Sequence, residues 1–377
     1  YENLSREAVR ELKVRILDSL GCAIGALGGE PVRMVREQVE EFGGSPLASL
    51  IGGGRTAPDR AAFYTGALGR NLAHNDSYLA PGETCHPSDN LGAVRAAAEY
   101  AGGTGRDLLA ALAVAYQVQC RLSEVAPVRH KGFDHTTQGA YAAAAGVAKA
   151  LGLDARRIAN AVAISGPANN ALRVTRTGAL SHWKGLAYPN TGFMAAHAAF
   201  LAARGITGPL EVFEGNKGFM EAIAGRFEID WEAEDLEAVR RTIVKKYNAE
   251  IHSQSALEGI LELREEHGID PEDVESVELE TFDVAYNIIG GGEEGEKKTV
   301  RTHTRSAAAL ALAYATCVAR CRRRKARCTH APQARHAAAS ATRPGARAGR
   351  LRAHSSPAHV RCARFAPRER RTSSTRP

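Results

Sequence analysis

Along the first 210 residues, apolar positions recur at three- and four-residue steps, and that period predicts one helix after another. Ser5, followed by Glu7, opens a helix whose apolar positions Val9, Leu12, Ile16, Leu17, Leu20 and Ile24 share a face, and Gly28 with Gly29 stops it. A second helix covers residues 31–42, from a proline in its favoured first-turn place to Gly43. Residues 48–51 form a short strand or a buried turn. Further helices follow over 58–73, 90–100, 107–125, 137–151, 156–164 and 191–204, several rich in alanine and separated by Gly, Pro or charged turns. Small side chains of this kind let helices approach closely, as in a bundle.

The texture changes near Asp235, where a short β-branched run, a polar loop and a helix precede an alternation of β-branched and acidic residues. That alternation predicts a half-exposed strand over residues 274–282 and the start of an α+β domain. Three regions result: an all-helical domain at 1–234, the start of the α+β domain at 235–300, and a tail at 301–377. The tail scatters Arg, Ala, Pro and His without an apolar face and cannot pack a core. Its Cys317, Cys321, Cys328 and His330 match no standard metal-ligand spacing.

Composition sharpens the division. The chain has 377 residues, 44% hydrophobic and 24% charged, which suits a soluble globular protein of up to two domains. Its net charge of +7 belongs to the tail alone: residues 301–377 hold 19 Lys+Arg and the single acid Glu369, whereas residues 1–300 hold 30 Lys+Arg against 41 Asp+Glu. Such a basic arm binds polyanions without specificity, and nucleic-acid binding by it is not expected to be physiological. Translation of a GC-rich gene in a shifted frame yields Arg/Ala/Pro-rich sequence of this sort and is the origin expected for the tail. Cys22, Cys85 and Cys120 are far apart in the body, which fits a reduced, cytoplasmic setting and gives no iron–sulfur or zinc pattern. No metal or cofactor is expected. No apolar run reaches the length of a membrane span.

The densest chemistry lies in residues 74–94, HNDSYLAPGETCHPSDNLGAV, between two helical patterns. Asp76 and His86 there are a candidate acid–base pair, or else a turn cap and a surface imidazole before Pro87. VRHKGFDHTTQG places His135 just before a helix, as catalyst or satisfied cap. The segment RVTRTGALSHWKG clusters Arg173, Arg176, His182 and Lys184 in an acidic body, a pattern suited to anions or to a solvated loop.

Taken together, HNDSYLA with HPSDNLGAV, GFDHTTQGAYAAAAG, RTGALSHWKGLAYPN, GITGPLEVFEGNKGF and KKYNAEIHSQSA resemble the MmgE/PrpD family, in order from about residue 4 to 300. The resemblance implies a mainly α fold, a large all-helical domain plus a smaller α+β lid domain, incomplete here because the tail departs from the family. It implies a homodimer and an active site between the domains. Its catalytic positions fall on Asp76, His86, His135, Lys184 and Lys245, the last preferred to Lys246 because it stands two before Tyr247. Substrate-binding positions fall on Arg176, Ser181, Tyr247 and Gln254. The implied reaction is metal-free dehydration of a hydroxy-tricarboxylate, with decarboxylation or epimerisation of a related acid as the alternative within the family, and a non-catalytic product with a basic arm outside it. His86 or Asp76 is the expected base and His135 the expected acid.

Overall fold

A computed structural model describes residues 1–177 and 180–269, with residues 274–277, 285, 288 and 365–367 besides. It forms two compact units, residues 1–249 and 250–377.

The first unit is helical. Helix α1 (Arg6–Gly25) starts where the Ser5 hydroxyl accepts from the Ala8 N–H at 2.9 Å, and α2 (Glu30–Phe42) ends at Gly43, whose φ of 62° suits glycine. A short hairpin pairs β1 (Ala48–Ser49) with β2 (Arg55–Thr56), so the 48–51 run is strand in its first half and enters the connecting turn at Ile51. Then come α3 (Pro58–Asn71), α4 (Leu91–Tyr100), α5 (Gly105–Val125), α6 (Thr136–Ala150), α7 (Ala155–Ala168) and α8 (Trp183–Ala203). Thr104 and Asp107 cap α5 reciprocally. Helix α6 is the axis: nearly all its side chains are buried, and α4, α5, α7 and α8 pack around it. From Gly139 to Ala148 its sequence is almost all Gly, Ala and Val, apolar on every side, as a central helix requires. Close approach is built in elsewhere as well, since a Cβ on Gly92 of α4 would sit 2.8 Å from the Gly66 nitrogen of α3.

Helix α8 begins eight residues before the predicted start at Thr191 and runs through Pro189. Sequence rules end a helix at proline. Here Pro189 packs on Gly66 of α3, 3.2–3.4 Å from where a Cβ would stand, so the tertiary contact carries the helix past it.

Between α3 and α4 the loop folds as a hairpin, β3 (Tyr78–Ala80) against β4 (Glu83–Cys85), turned at Pro81-Gly82 with Gly82 at φ 77°. A single bridge ties Ser77 to Ile243, through paired N–H to carbonyl bonds of 2.8 and 2.9 Å. The segment that ends the first unit is thereby docked on the start of the hairpin.

In the second unit, a 3-10 turn at Ile251–Ser253 leads into α9 (Gln254–His267), and β5 (Val274–Val277) pairs antiparallel with β6 (Phe365–Pro367). The rest of the predicted strand, the rest of the 235–300 region beyond residue 269 and almost all of the basic tail lie outside the described residues.

Candidate active site

The hairpin and its flanks gather the chemistry. Asp76 is wholly buried; its Oδ1 accepts from the Ser88 N–H at 3.0 Å and its Oδ2 from the Tyr116 hydroxyl at 2.9 Å. Burial raises its pKa, and those two hydrogen bonds oppose the rise. The main-chain carbonyl of the same residue lies 2.6 Å from Nδ1 of His86. A carbonyl only accepts, so Nδ1 carries the proton and Nε2 keeps a bare lone pair. Burial, followed by the Arg70 and Lys245 cations, holds His86 well below the usual imidazole range.

The His135 ring meets His86 edge to face, with centroids 5.3 Å apart, and stacks on Tyr188 at 6.0 Å. Its Nε2 is 3.3 Å from Nη2 of Arg176, a donor, so Nε2 is the acceptor and the proton sits on Nδ1. That buried Nδ1 has no hydrogen-bond partner. Burial depresses the His135 pKa strongly; the nearby Asp134 opposes this, while Arg176, Arg70 and Arg173 add to it.

Asp134, fully buried at the mouth of α6, anchors the cations. Nε of Arg176 donates to it at 2.8 Å and Nη2 at 3.2 Å; the Thr136 N–H donates at 3.2 Å, and Arg173 stands at 3.7 Å. Burial alone would raise its pKa, but the guanidinium charges hold it far below the carboxylate range. Nη1 of Arg176 donates to the Lys184 carbonyl at 2.7 Å, which ties the first turn of α8 to this cluster. Arg176 thus spends its donors on the protein and acts on the site chiefly through its field.

A second buried pair joins Arg70 at the end of α3 to Asp89 at 3.0 Å, with the Asn75 amide donating to the other Asp89 oxygen at 2.7 Å. Burial pushes Asp89 up to about 6 against the pull of Arg70. Behind His135, the Tyr188 hydroxyl bonds Asn90 and Gln119, each at 3.0 Å.

Lys245 is buried, and its Nζ donates to the Ala73 carbonyl at 2.9 Å, while its own carbonyl accepts from Nε2 of His74 at 3.1 Å. Lys246 is instead exposed, its ammonium 5.4 Å from the Tyr247 ring centre.

The structure therefore brings Asp76, His86, His135 and Arg176 together, with Lys245 beside Asp76 and His86 and Lys184 joined through its carbonyl. Ser181 is exposed, its carbonyl closing the first turn of α8, and Tyr247 is half-buried next to Lys246. Gln254 opens α9 in the second unit. Reading of the sequence missed Arg70, Asn75, Tyr116, Asp134 and Tyr188 as parts of the site. Asp134 had a signal, an acid adjacent to a candidate histidine; Arg70 and Tyr116 lie inside helical patterns, where an isolated polar residue gives none, and Tyr188 lies before the predicted helix start at Thr191.

Residues 1–232 match the model of the MmgE/PrpD N-terminal domain and residues 247–343 that of the MmgE/PrpD C-terminal domain. The chain is 29% identical over 318 residues to a 2-methylcitrate dehydratase of Escherichia coli K12, covering 77% of this chain and 64% of that protein. It is 28% identical over 316 residues to a 2-methylcitrate dehydratase of Cupriavidus necator, covering 77% and 63%. To a fungal alkylcitrate dehydratase it is 29% identical over 340 residues, covering 80% and 63%. The matches thus span just under two thirds of the length of these relatives.

Proposed function

Because this chain belongs to the MmgE/PrpD family, we propose that it removes water from a hydroxy-tricarboxylate, 2-methylcitrate to 2-methylaconitate, by side-chain proton transfer without a metal. The observation that carries this reading is the buried His86–His135 pair, 5.3 Å between rings, set among Arg70, Arg173, Arg176 and Lys245. Two imidazoles offer one nitrogen to take a proton and one to give it, and the cations favour a polyanionic substrate.

Nε2 of His86 takes the proton from the carbon next to a carboxylate. Asp76 is a poorer base, because its carboxylate is fully enclosed and both oxygens already accept hydrogen bonds. As the C–H bond breaks, negative charge builds on the adjacent carboxylate, where Lys184 and Lys245 stabilise it. The C–O bond then breaks, its electrons leave with the hydroxyl, and a proton from His135 completes the departing water. In the empty site burial, with the field of the Arg176, Arg70 and Arg173 cations added to it, holds His135 well below the usual imidazole range. A bound tricarboxylate offsets that field and lets the imidazole hold the proton it must deliver.

The test is to incubate the full chain with 2-methylcitrate, citrate, cis-aconitate and iminodisuccinate, following the conjugated double bond by ultraviolet absorbance and products by NMR. Dehydration of 2-methylcitrate in preference to the others is expected. Carbon dioxide release from cis-aconitate, or epimerisation of iminodisuccinate, without any dehydration would replace this reading with the corresponding alternative.

A further inference from the structure

The stretch of chain that carries Lys245 has little apolar surface to hold it. Thr242 and Lys245 are buried, but Ile243 and Val244 between them are 42% and 37% exposed, and Arg241 and Lys246 on either side are exposed as well. Burial of side chains therefore does little to fix this segment, and polar bonds take over that work. Several come from the loop after α3: the Ile243 N–H and carbonyl pair with Ser77 at 2.8 and 2.9 Å, the Lys245 Nζ donates to the Ala73 carbonyl at 2.9 Å, and the Lys245 carbonyl accepts from Nε2 of His74 at 3.1 Å.

A further anchor comes from α1, through a residue that no step above uses. Arg15 is 5% exposed; its Nε donates to the Thr242 hydroxyl at 2.9 Å and its Nη2 to the Thr242 carbonyl at 2.7 Å. Nη1 donates to Glu11, one turn back on α1, at 2.9 Å, so all three nitrogens are engaged and the plane of the guanidinium is set. The Thr242 hydroxyl spends its own hydrogen on the Val239 carbonyl at 2.7 Å, which leaves its oxygen to accept from Arg15. A fork bonded to both the side chain and the main chain of one residue resists rotation as well as translation. Helix α1 thus sets the direction in which the chain leaves Thr242, and Lys245 follows three residues on.

We propose that Arg15 is a positioning residue for Lys245: its fork clamps Thr242 onto α1 and so sets where the Lys245 ammonium stands to meet a substrate carboxylate. The part of this that concerns the substrate rests on the function proposed above; the clamp itself does not. Arg15 touches no reacting atom and acts through the segment it holds.

The test uses the full chain with Arg15→Lys, which keeps the charge but replaces the fork with a point donor, and Thr242→Val, which keeps the shape and removes only the hydroxyl end of the clamp. The first measurement is independent of turnover: amide hydrogen exchange, read on peptides by mass spectrometry. In R15K the peptide containing Ile243 exchanges about tenfold faster, T242V follows to a smaller extent, and peptides from α5 and α6 keep wild-type rates. Wild-type exchange around Ile243 in the folded variants, or an equal rise throughout α5 and α6, overturns the proposal whatever the turnover; T242V carries the test if R15K does not fold. The second measurement is kcat/KM for 2-methylcitrate in a double-mutant cycle with Lys245→Met. R15K lowers it about tenfold when Lys245 is present and less than about threefold when Lys245 is already gone. An equal loss in both backgrounds is the mark of a merely structural role and also overturns the proposal. Faster exchange in R15K with no turnover by the wild type keeps the clamp and rejects the dehydratase reading instead.

Discussion

Replacing Asp134 with Asn probes how the cationic cluster is held. The side chain is wholly buried and accepts from Arg176 twice, at 2.8 and 3.2 Å, and from the Thr136 N–H at 3.2 Å, with Arg173 at 3.7 Å. The partner guanidiniums are only 7% and 13% exposed, so water cannot take over their charge. An amide can accept on one side only and turns its own N–H groups toward a guanidinium on the other. Breaking a buried pair in this way costs roughly 3–5 kcal/mol, against a total stability on the order of 5–15 kcal/mol for a domain.

The pH dependence has a definite sign. The folded pKa of Asp134 is depressed, so its contribution is fully present above the unfolded carboxylate value and is lost as pH falls toward the folded one. The gap between wild type and D134N therefore stays constant from pH 7 to 5 and shrinks below about pH 4. Urea denaturation followed by far-ultraviolet circular dichroism suits this helical unit better than fluorescence, since Trp183 and Trp231 are both exposed. A gap below about 1 kcal/mol at pH 7, or one that persists undiminished to pH 3, would refute the reasoning.

Two other outcomes are expected. A methyl group on Gly139 would sit 2.5 Å from the Tyr188 ring and 2.8 Å from its hydroxyl, so Gly139→Ala pushes the ring that backs His135; a loss of about 1–3 kcal/mol in stability should accompany reduced kcat, checked by denaturation and turnover on one preparation. Asp89 behaves oppositely to Asp134: its folded pKa of about 6 lies above the unfolded value, so it adds stability as pH falls. Between pH 7 and 5 the wild type should gain about 1 kcal/mol relative to D89N, measured by paired urea titrations at the two pH values.

Helix periodicity made most of the first unit legible. Predicted starts and stops for α1 to α7 fall within a few residues of those found, because Ser5, Thr104, Pro31 and the glycine stops act locally. Where local chemistry and tertiary contact compete, as at Pro189, the sequence pattern loses. The hairpin at residues 78–85 carried a visible sign in Pro81-Gly82, but its strands are too short to show alternation. The site divides in the same way. His86, His135 and Asp76 stand in polar loops, where polar residues draw notice. Arg70, Tyr116 and Tyr188 come from helix faces that meet only after folding, across as many as 118 positions of sequence, and no local pattern marks such residues.

The base role of His86 is the centre of the account, and His86→Gln tests it most directly. With 2-methylcitrate, kcat for H86Q should fall about 10²–10⁴-fold, while the dissociation constant for substrate, measured by calorimetry, stays within about threefold of wild type. An H86Q protein that binds as well and keeps kcat within about tenfold of the wild type would contradict it.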